Sequence, residues 1–141
     1  MSDDAPTDVP ARLAIVTGRL NRRLRSASGK LSHGLLSALA TISKQGPVRL
    51  AELAQLESVS PPSTTRLVAD LESKGLVSRE SDPEDGRAVL ISITPAGETA
   101  VAEARAARAE MIAELFEGLE PSEIAAIAAA VPALEKAMEP F

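Results

Sequence analysis

The 141-residue sequence has no cysteine. Disulfides, thiolate nucleophiles, cysteine-ligated clusters and sensing by cysteine oxidation are therefore excluded. Its single histidine, His33, rules out a His-rich metal centre within one chain, and neither a metal nor a cofactor is expected. Aromatic residues are almost missing, with two Phe and no Tyr or Trp. That leaves no stacking platform for single-stranded nucleic acid. No apolar run approaches the ~20 residues needed to span a bilayer, so no membrane partner is expected. The opening MSDDAPTDVP is acidic and has no apolar stretch of the kind a secretory signal carries, so a cytoplasmic protein is expected. A G-x-S-x-G elbow, a P-loop and a paired-carboxylate cleft are all lacking, which points away from an enzyme.

What is present is alanine, leucine and unevenly placed charge. Ala and Leu favour helix, so a mainly helical fold is expected. The net charge of −5 argues at first against a nucleic-acid partner. Its distribution argues the other way. Val9 to Ala51 holds eight Lys or Arg and no acid, whereas Glu98 to Glu139 holds nine acids and three bases. Such asymmetry fits one phosphate-facing side and one solvent-facing end, although uneven charge on an ordinary soluble chain fits it equally.

Apolar spacing orders the chain. Leu13, Val16, Leu20 and Leu24 recur at helical intervals after Pro10 and fade near Ser26 to Gly29. Ser32 caps a second helix whose stripe is Leu35, Leu36, Leu39 and Ile42, and Gly46-Pro47 ends it. After Val48-Arg49 comes a short helix over Leu50–Glu57, expected to turn Leu50, Leu53, Ala54 and Leu56 inward. Ser60 caps a fourth helix opening with Pro61-Pro62, with Leu67, Val68 and Leu71 on its apolar face and Lys74-Gly75 at its end. Two strand-like runs follow, Leu76–Ser81 and Ala88–Ile93, joined by the turn-rich Asp82-Pro-Glu-Asp-Gly-Arg87. Thr94-Pro95 starts a long helix running to about Glu117. A last helix spans about Pro121–Met138, and Pro132 should kink or split it. Met111, Phe116 and Met138 are expected in the core.

The helix capped by Ser60 carries the functional signal. Its face away from Leu67, Val68 and Leu71 shows Pro62, Ser63, Thr65, Arg66, Ala69 and Asp70. A helix entering the major groove needs small leading residues, hydroxyls for phosphates and bases, and an Arg for guanine or phosphate. Its positive N-terminal end also favours phosphate. A solvated polar face is the plain alternative, but such faces usually carry Glu and Lys, which are scarce here before Asp70. In the loop, Arg87 is placed to enter a minor groove, with Asp85 poised to orient its guanidinium. The plain alternative there is an exposed hairpin with a weak ion pair. Glu80, Asp82 and Glu84 crowd the same tip and should limit indiscriminate DNA binding.

These segments together resemble the MarR family of regulators: Leu50-Ala-Glu-Leu-Ala54, Ser63 through Arg79 with its Gly-Leu-Val, the Asp-x-Arg of the loop, and Thr94-Pro-Ala-Gly97. The likeness covers residues 31–97. It implies a mainly α (α+β) fold: a winged helix-turn-helix at 46–94 with dimerisation helices at 10–28 and 95–139. Residues 9–141 then form one domain behind a disordered tail at 1–8. It implies a homodimer that binds double-stranded DNA, with Ser60, Pro62, Ser63, Thr65 and Arg66 in the major groove and Arg87 in the minor groove. Repression of transcription at a pseudo-palindromic operator is the expected activity. Three positions depart from the family pattern. Gly86 stands where a second Arg is common. Arg49 replaces a Ser or Thr cap and is expected to contact phosphate instead. Thr64 takes a place usually aliphatic.

The same resemblance implies a pocket for a small phenolic or anionic effector between the dimer helices and the DNA-binding part. Arg19, Arg23 and His33 are its candidate ligands, although the arginines suit a DNA backbone equally well. A winged-helix module used for protein–protein contact, without DNA binding, is the alternative reading that the acidic balance keeps open.

Overall fold

The computed structural model describes residues 8–28 and 31–139, with the main chain alone at Ser28. Residues 1–7 of the expected tail lie outside that range. The elements are α1 (Val9–Arg25), a 3-10 turn (Ser26–Ser28), α2 (His33–Gln45), β1 (Val48–Arg49), α3 (Leu50–Glu57), α4 (Pro61–Ser73), β2 (Val77–Ser81), β3 (Val89–Ile93), α5 (Pro95–Phe116) and α6 (Pro121–Met138). The order matches the sequence reading. Contacts divide the chain into two compact units that meet between Arg108 and Ala109.

The first unit is built around α2, α3, α4 and a three-stranded antiparallel sheet ordered β1-β3-β2. Leu35, Ala38, Leu39 and Ile42 of α2 pack with Leu53 of α3, Val68 and Leu71 of α4, Val48, Val77 and Ile91 of the sheet, and Val101 of α5. The core is aliphatic throughout, as the near-absence of aromatic residues requires. Ser32 caps α2 by accepting the Leu35 N–H at 3.2 Å. Leu56, expected to face inward, is 52% exposed. It lies about 60° around the helix from Leu53 on the side away from Ala54, at the edge of the buried face that those two residues define. Leu13 and Val16 of α1 are exposed as well, and no residue of α1 is buried.

Gly75 ends α4 in the left-handed region at φ 73°, the conformation glycine adopts without strain. The chain then enters β2. Thr94 reaches back to this point, donating its hydroxyl to the Gly75 carbonyl at 2.7 Å while its N–H donates to the Leu76 carbonyl at 3.0 Å. The same Thr94 Oγ1 accepts the Gly97 N–H at 3.1 Å and so caps α5. A Cβ placed on Gly97 would lie 2.2 Å from the Leu76 carbonyl oxygen, so the start of α5 sits against bare backbone just before β2.

The second unit holds the end of α5 and all of α6. Glu123 accepts the Glu120 N–H at 3.0 Å and secures the start of α6. Ile124, Ile127, Val131, Leu134 and Met138 are exposed along one stripe of α6 at alternating steps of three and four residues. Met138 is 78% exposed rather than in a core, at the last turn of its helix. Pro132 does not split α6, which is one continuous helix. A single missing donor in so alanine-rich a segment interrupts the ladder without ending it.

Candidate nucleic-acid interface

Helix α4 is set by its first turn. Ser60 is extended at ψ 149°, as a residue before proline prefers. Its Oγ accepts the Ser63 N–H at 3.3 Å and donates to Ser63 Oγ at 2.9 Å. Pro61 and Pro62 have no N–H, and the Thr64 N–H is bonded to the Ser60 carbonyl at 2.9 Å. The first turn of α4 therefore offers no free main-chain donor. Any phosphate at this end must be held by side chains and the helix dipole, a narrower offer than the sequence reading anticipated.

Thr64, Val68 and Leu71 turn inward. Thr64 is 1% exposed and tolerates its aliphatic-type site because its hydroxyl donates to the Ser60 carbonyl at 3.0 Å. Pro62, Thr65 and Arg66 are exposed together on the opposite side, with Ser63 partly covered at its edge. Thr65 donates to the Pro61 carbonyl at 3.0 Å, leaving its hydroxyl oxygen able to accept. The turn before α4 is tight. Ser58 is left-handed at φ 53°, and Val59 N–H closes back on the Ala54 carbonyl at 3.0 Å.

The β2–β3 hairpin forms the wing. Its register runs from Val77 opposite Ile93 to Ser81 opposite Val89. The tip loop is closed by the Asp82 N–H on the Ala88 carbonyl at 3.0 Å and the Ala88 N–H on the Asp85 carbonyl at 2.9 Å. Arg87 is exposed at this tip. Asp85 does not orient its guanidinium: the Asp85 carboxylate accepts the Arg87 main-chain N–H at 3.1 Å, which shapes the loop instead.

Arg49 departs from expectation too. Its side chain does not cap α3. Arg49 Nε donates to Asp82 Oδ2 at 3.0 Å, and Nη2 donates to the same oxygen. Asp82 Oδ1 accepts the Glu84 N–H at 2.9 Å. Those bonds, the main-chain one first and the Arg49 one second, hold the Asp82 carboxyl below the usual carboxylate range. Arg49 is shifted upward, chiefly by the same bond to Asp82. One of the three acids expected to repel DNA at the tip is thus neutralised within the protein.

Five cations lie between residues 46 and 94. Arg49 pairs with Asp82, Lys74 with Asp70 at 3.5 Å, and Arg79 with Glu72 at 3.1 Å. Arg66 and Arg87 form no ion pair with a described residue, and both are exposed.

A groove of about 310 Å³ lies between α2 and the first part of α5. His33 lines it, together with Lys44, Arg105 and Arg108, Ser37 and Thr41, and apolar Leu36 and Val101. Arg19 and Arg23 are exposed on α1 and are not among its lining. Sequence reasoning missed Lys44, Arg105 and Arg108. The one-turn spacing of the two arginines was the available signal, but nothing in the sequence brings them to α2. No cluster of three or more His, Asp or Glu suited to a metal occurs among the described residues. No helix among them is long and apolar enough to cross a membrane.

The comparisons agree with this geometry. The MarR family model matches residues 31–89. An HTH-type transcriptional regulator of Mycobacterium tuberculosis is 39% identical over 122 residues, covering 85% of this chain and 85% of the relative. The HTH-type transcriptional repressor MdtR of Bacillus subtilis is 29% identical over 104 residues, covering 74% of this chain and 67% of its own length. Among solved structures, a mutant of MarR from E. coli superposes with a TM-score of 0.81 at 22% identity, over 94% of this chain and 98% of that one. A MarR family protein from Bacillus stearothermophilus gives 0.79 at 23%, over 98% of each chain. These two share the fold. The relatives are regulators of transcription rather than enzymes. With its helix-turn-helix, its wing and these relatives, the chain belongs to the MarR family of DNA-binding, winged-helix transcriptional regulators.

Proposed function

We propose that the chain is a repressor that binds a pseudo-palindromic operator as a homodimer. Helix α4 lies in the major groove, presenting Ser60, Pro62, Ser63, Thr65 and Arg66, and the wing carries Arg87 to the minor groove. The observation that carries this reading is the charge pairing of the winged part. Of its five cations, the two exposed without an ion pair are Arg66, on the outer side of α4, and Arg87, at the wing tip. An unpaired exposed arginine loses no internal partner when it meets phosphate or guanine. Arg49 drops out as a direct phosphate contact, since Asp82 holds its guanidinium. The dimer is supported by the bare apolar stripes of α1 and α6, which have the composition of surfaces that need a partner. Two-fold symmetry then sets half-sites about 10 bp apart. A gel shift on the DNA upstream of the protein's own gene tests the core of the reading. Arg66→Ala should lower affinity by about 1–3 kcal/mol with an unchanged melting temperature. Undiminished binding by that variant removes α4 from the groove.

The groove between α2 and α5 is the best-supported place for a small anionic or phenolic effector, because Lys44, Arg105 and Arg108 supply positive charge beside His33. An effector there would release the operator by favouring the DNA-free form. Titration of the protein–operator complex with aromatic carboxylates checks this, using Arg105→Ala to weaken the response. The protein acts where the DNA is, in the cytoplasm. A protein-interaction module without DNA binding is not favoured, because the named relatives are transcriptional regulators.

A further inference from the structure

The Arg49–Asp82 pair joins two parts of the interface that the sequence separates by 33 residues. Arg49 ends β1 and immediately precedes α3, the first helix of the helix-turn-helix. In the sheet it stands opposite Leu90 of β3, whose other neighbour is Glu80 of β2. Its side chain thus reaches across the central strand to Asp82, just past the end of β2. Asp82 divides its carboxylate between two tasks. Oδ2 accepts from the Arg49 guanidinium, while Oδ1 holds the Glu84 N–H inside the tip loop. The residue is 7% exposed in a loop whose other members are almost all open to solvent. Main-chain bonds close that loop on itself, whereas Arg49 ties it to the base of α3.

We propose that Asp82, through Arg49, is a positioning residue for DNA binding: it fixes the angle at which the wing presents Arg87 relative to the helix-turn-helix. The inference rests on the reading that Arg87 contacts DNA. Without the strut the hairpin keeps its strand pairing but gains freedom about its base, and ordering it on DNA then costs affinity. The rival role, Arg49 as a phosphate contact with Asp82 as its competitor, makes the opposite prediction. Removing an acid beside a phosphate-binding surface should then strengthen binding.

The test is operator affinity by gel shift for Asp82→Asn, Asp82→Ala, Glu84→Gln and Arg87→Ala, with the fold of each checked by circular dichroism. Asp82→Asn keeps an acceptor for the Glu84 N–H and loses only the ion pair. It should bind about 3- to 10-fold more weakly, and Asp82→Ala more weakly still, within the about 5- to 150-fold loss expected for one base-edge contact. Glu84→Gln removes the same charge from the same tip and should bind as tightly as wild type or tighter. In an Arg87→Ala background, Asp82→Asn should cost less than twofold, because the contact it positions is gone. If Arg87→Ala weakens binding but Asp82→Asn tightens it or leaves it unchanged, the positioning role is overturned and the wing contact stands. An Asp82→Asn loss that persists in the Arg87→Ala background overturns it as well. Wild-type affinity in Arg87→Ala itself removes the wing contact and this inference with it.

Discussion

Ser37 donates its hydroxyl to Glu57 at 2.7 Å, joining the middle of α2 to the last residue of α3. Thr41, one turn along α2, donates to the other oxygen of the same carboxylate. Two hydroxyls thus converge on a partly buried acid next to the left-handed Ser58, where the chain turns toward α4. Glu57→Ala should lower stability by about 1–3 kcal/mol, because it leaves both part-buried hydroxyls to seek other acceptors. Glu57→Gln, which retains one acceptor oxygen, should cost less. Urea unfolding followed by circular dichroism measures both. Equal stability of all three proteins would show that these bonds are exchanged for water at no cost.

Gly97 leaves no room for a side chain. Its α-carbon faces the Leu76 carbonyl so closely that an added Cβ would lie at 2.2 Å. Backbone on both sides must shift to admit even a methyl group. Gly97→Ala should therefore destabilise the fold by at least the about 1–3 kcal/mol of an overpacked core, despite alanine's better helix propensity. A raised denaturation midpoint would mean that the start of α5 moves off the Leu76 backbone freely.

Asp82 sets an acid limb of stability. Its folded carboxyl is held below its ordinary value, by the Glu84 main-chain bond and then by Arg49. A group depressed in the folded state contributes its stability above the unfolded pKa and loses it as pH falls through the folded one. The contribution is therefore intact at neutral pH and declines below the ordinary Asp range of about 4. Thermal melts of wild type and Asp82→Asn should converge as pH falls through that range. Parallel curves would assign acid sensitivity to other groups.

The stripe of α6 gives a test of assembly. Ile127 lies within the exposed row from Ile124 to Met138. Ile127→Glu adds a charge that solvent accommodates in a monomer but an apolar subunit interface does not. It should lower the apparent mass in sedimentation from that of a dimer toward that of one chain, and weaken operator binding with it. An unchanged dimer would move the subunit interface elsewhere.

The element order was legible because its signals are local. Ser32 and Ser60 are caps, Gly75 is left-handed, and Thr94 binds the Gly97 N–H as a capping hydroxyl should. The exposure of Arg66 and Arg87 is also legible locally, from a helix face and a loop tip. What the sequence withheld is long-range. Arg49 reads as a free cation until the sheet brings Asp82 to it, and Asp85 reads as a partner for a guanidinium until the loop turns its carboxylate toward main chain. Arg105 and Arg108 share a groove with His33 only because α5 packs beside α2. Leu56 and Met138 are exposed against expectation because periodicity marks an apolar stripe without saying which end of it finds cover.

The paired prolines at the head of α4 have a further effect. Two consecutive pyrrolidine rings hold φ near −65° whether or not the chain is folded, which thins out the disordered conformers this segment can visit. The leading turn is consequently stiff in the free chain. In the proposed complex, little main-chain freedom would remain there to be surrendered on docking, so the ordering cost at this end would fall mainly on side chains.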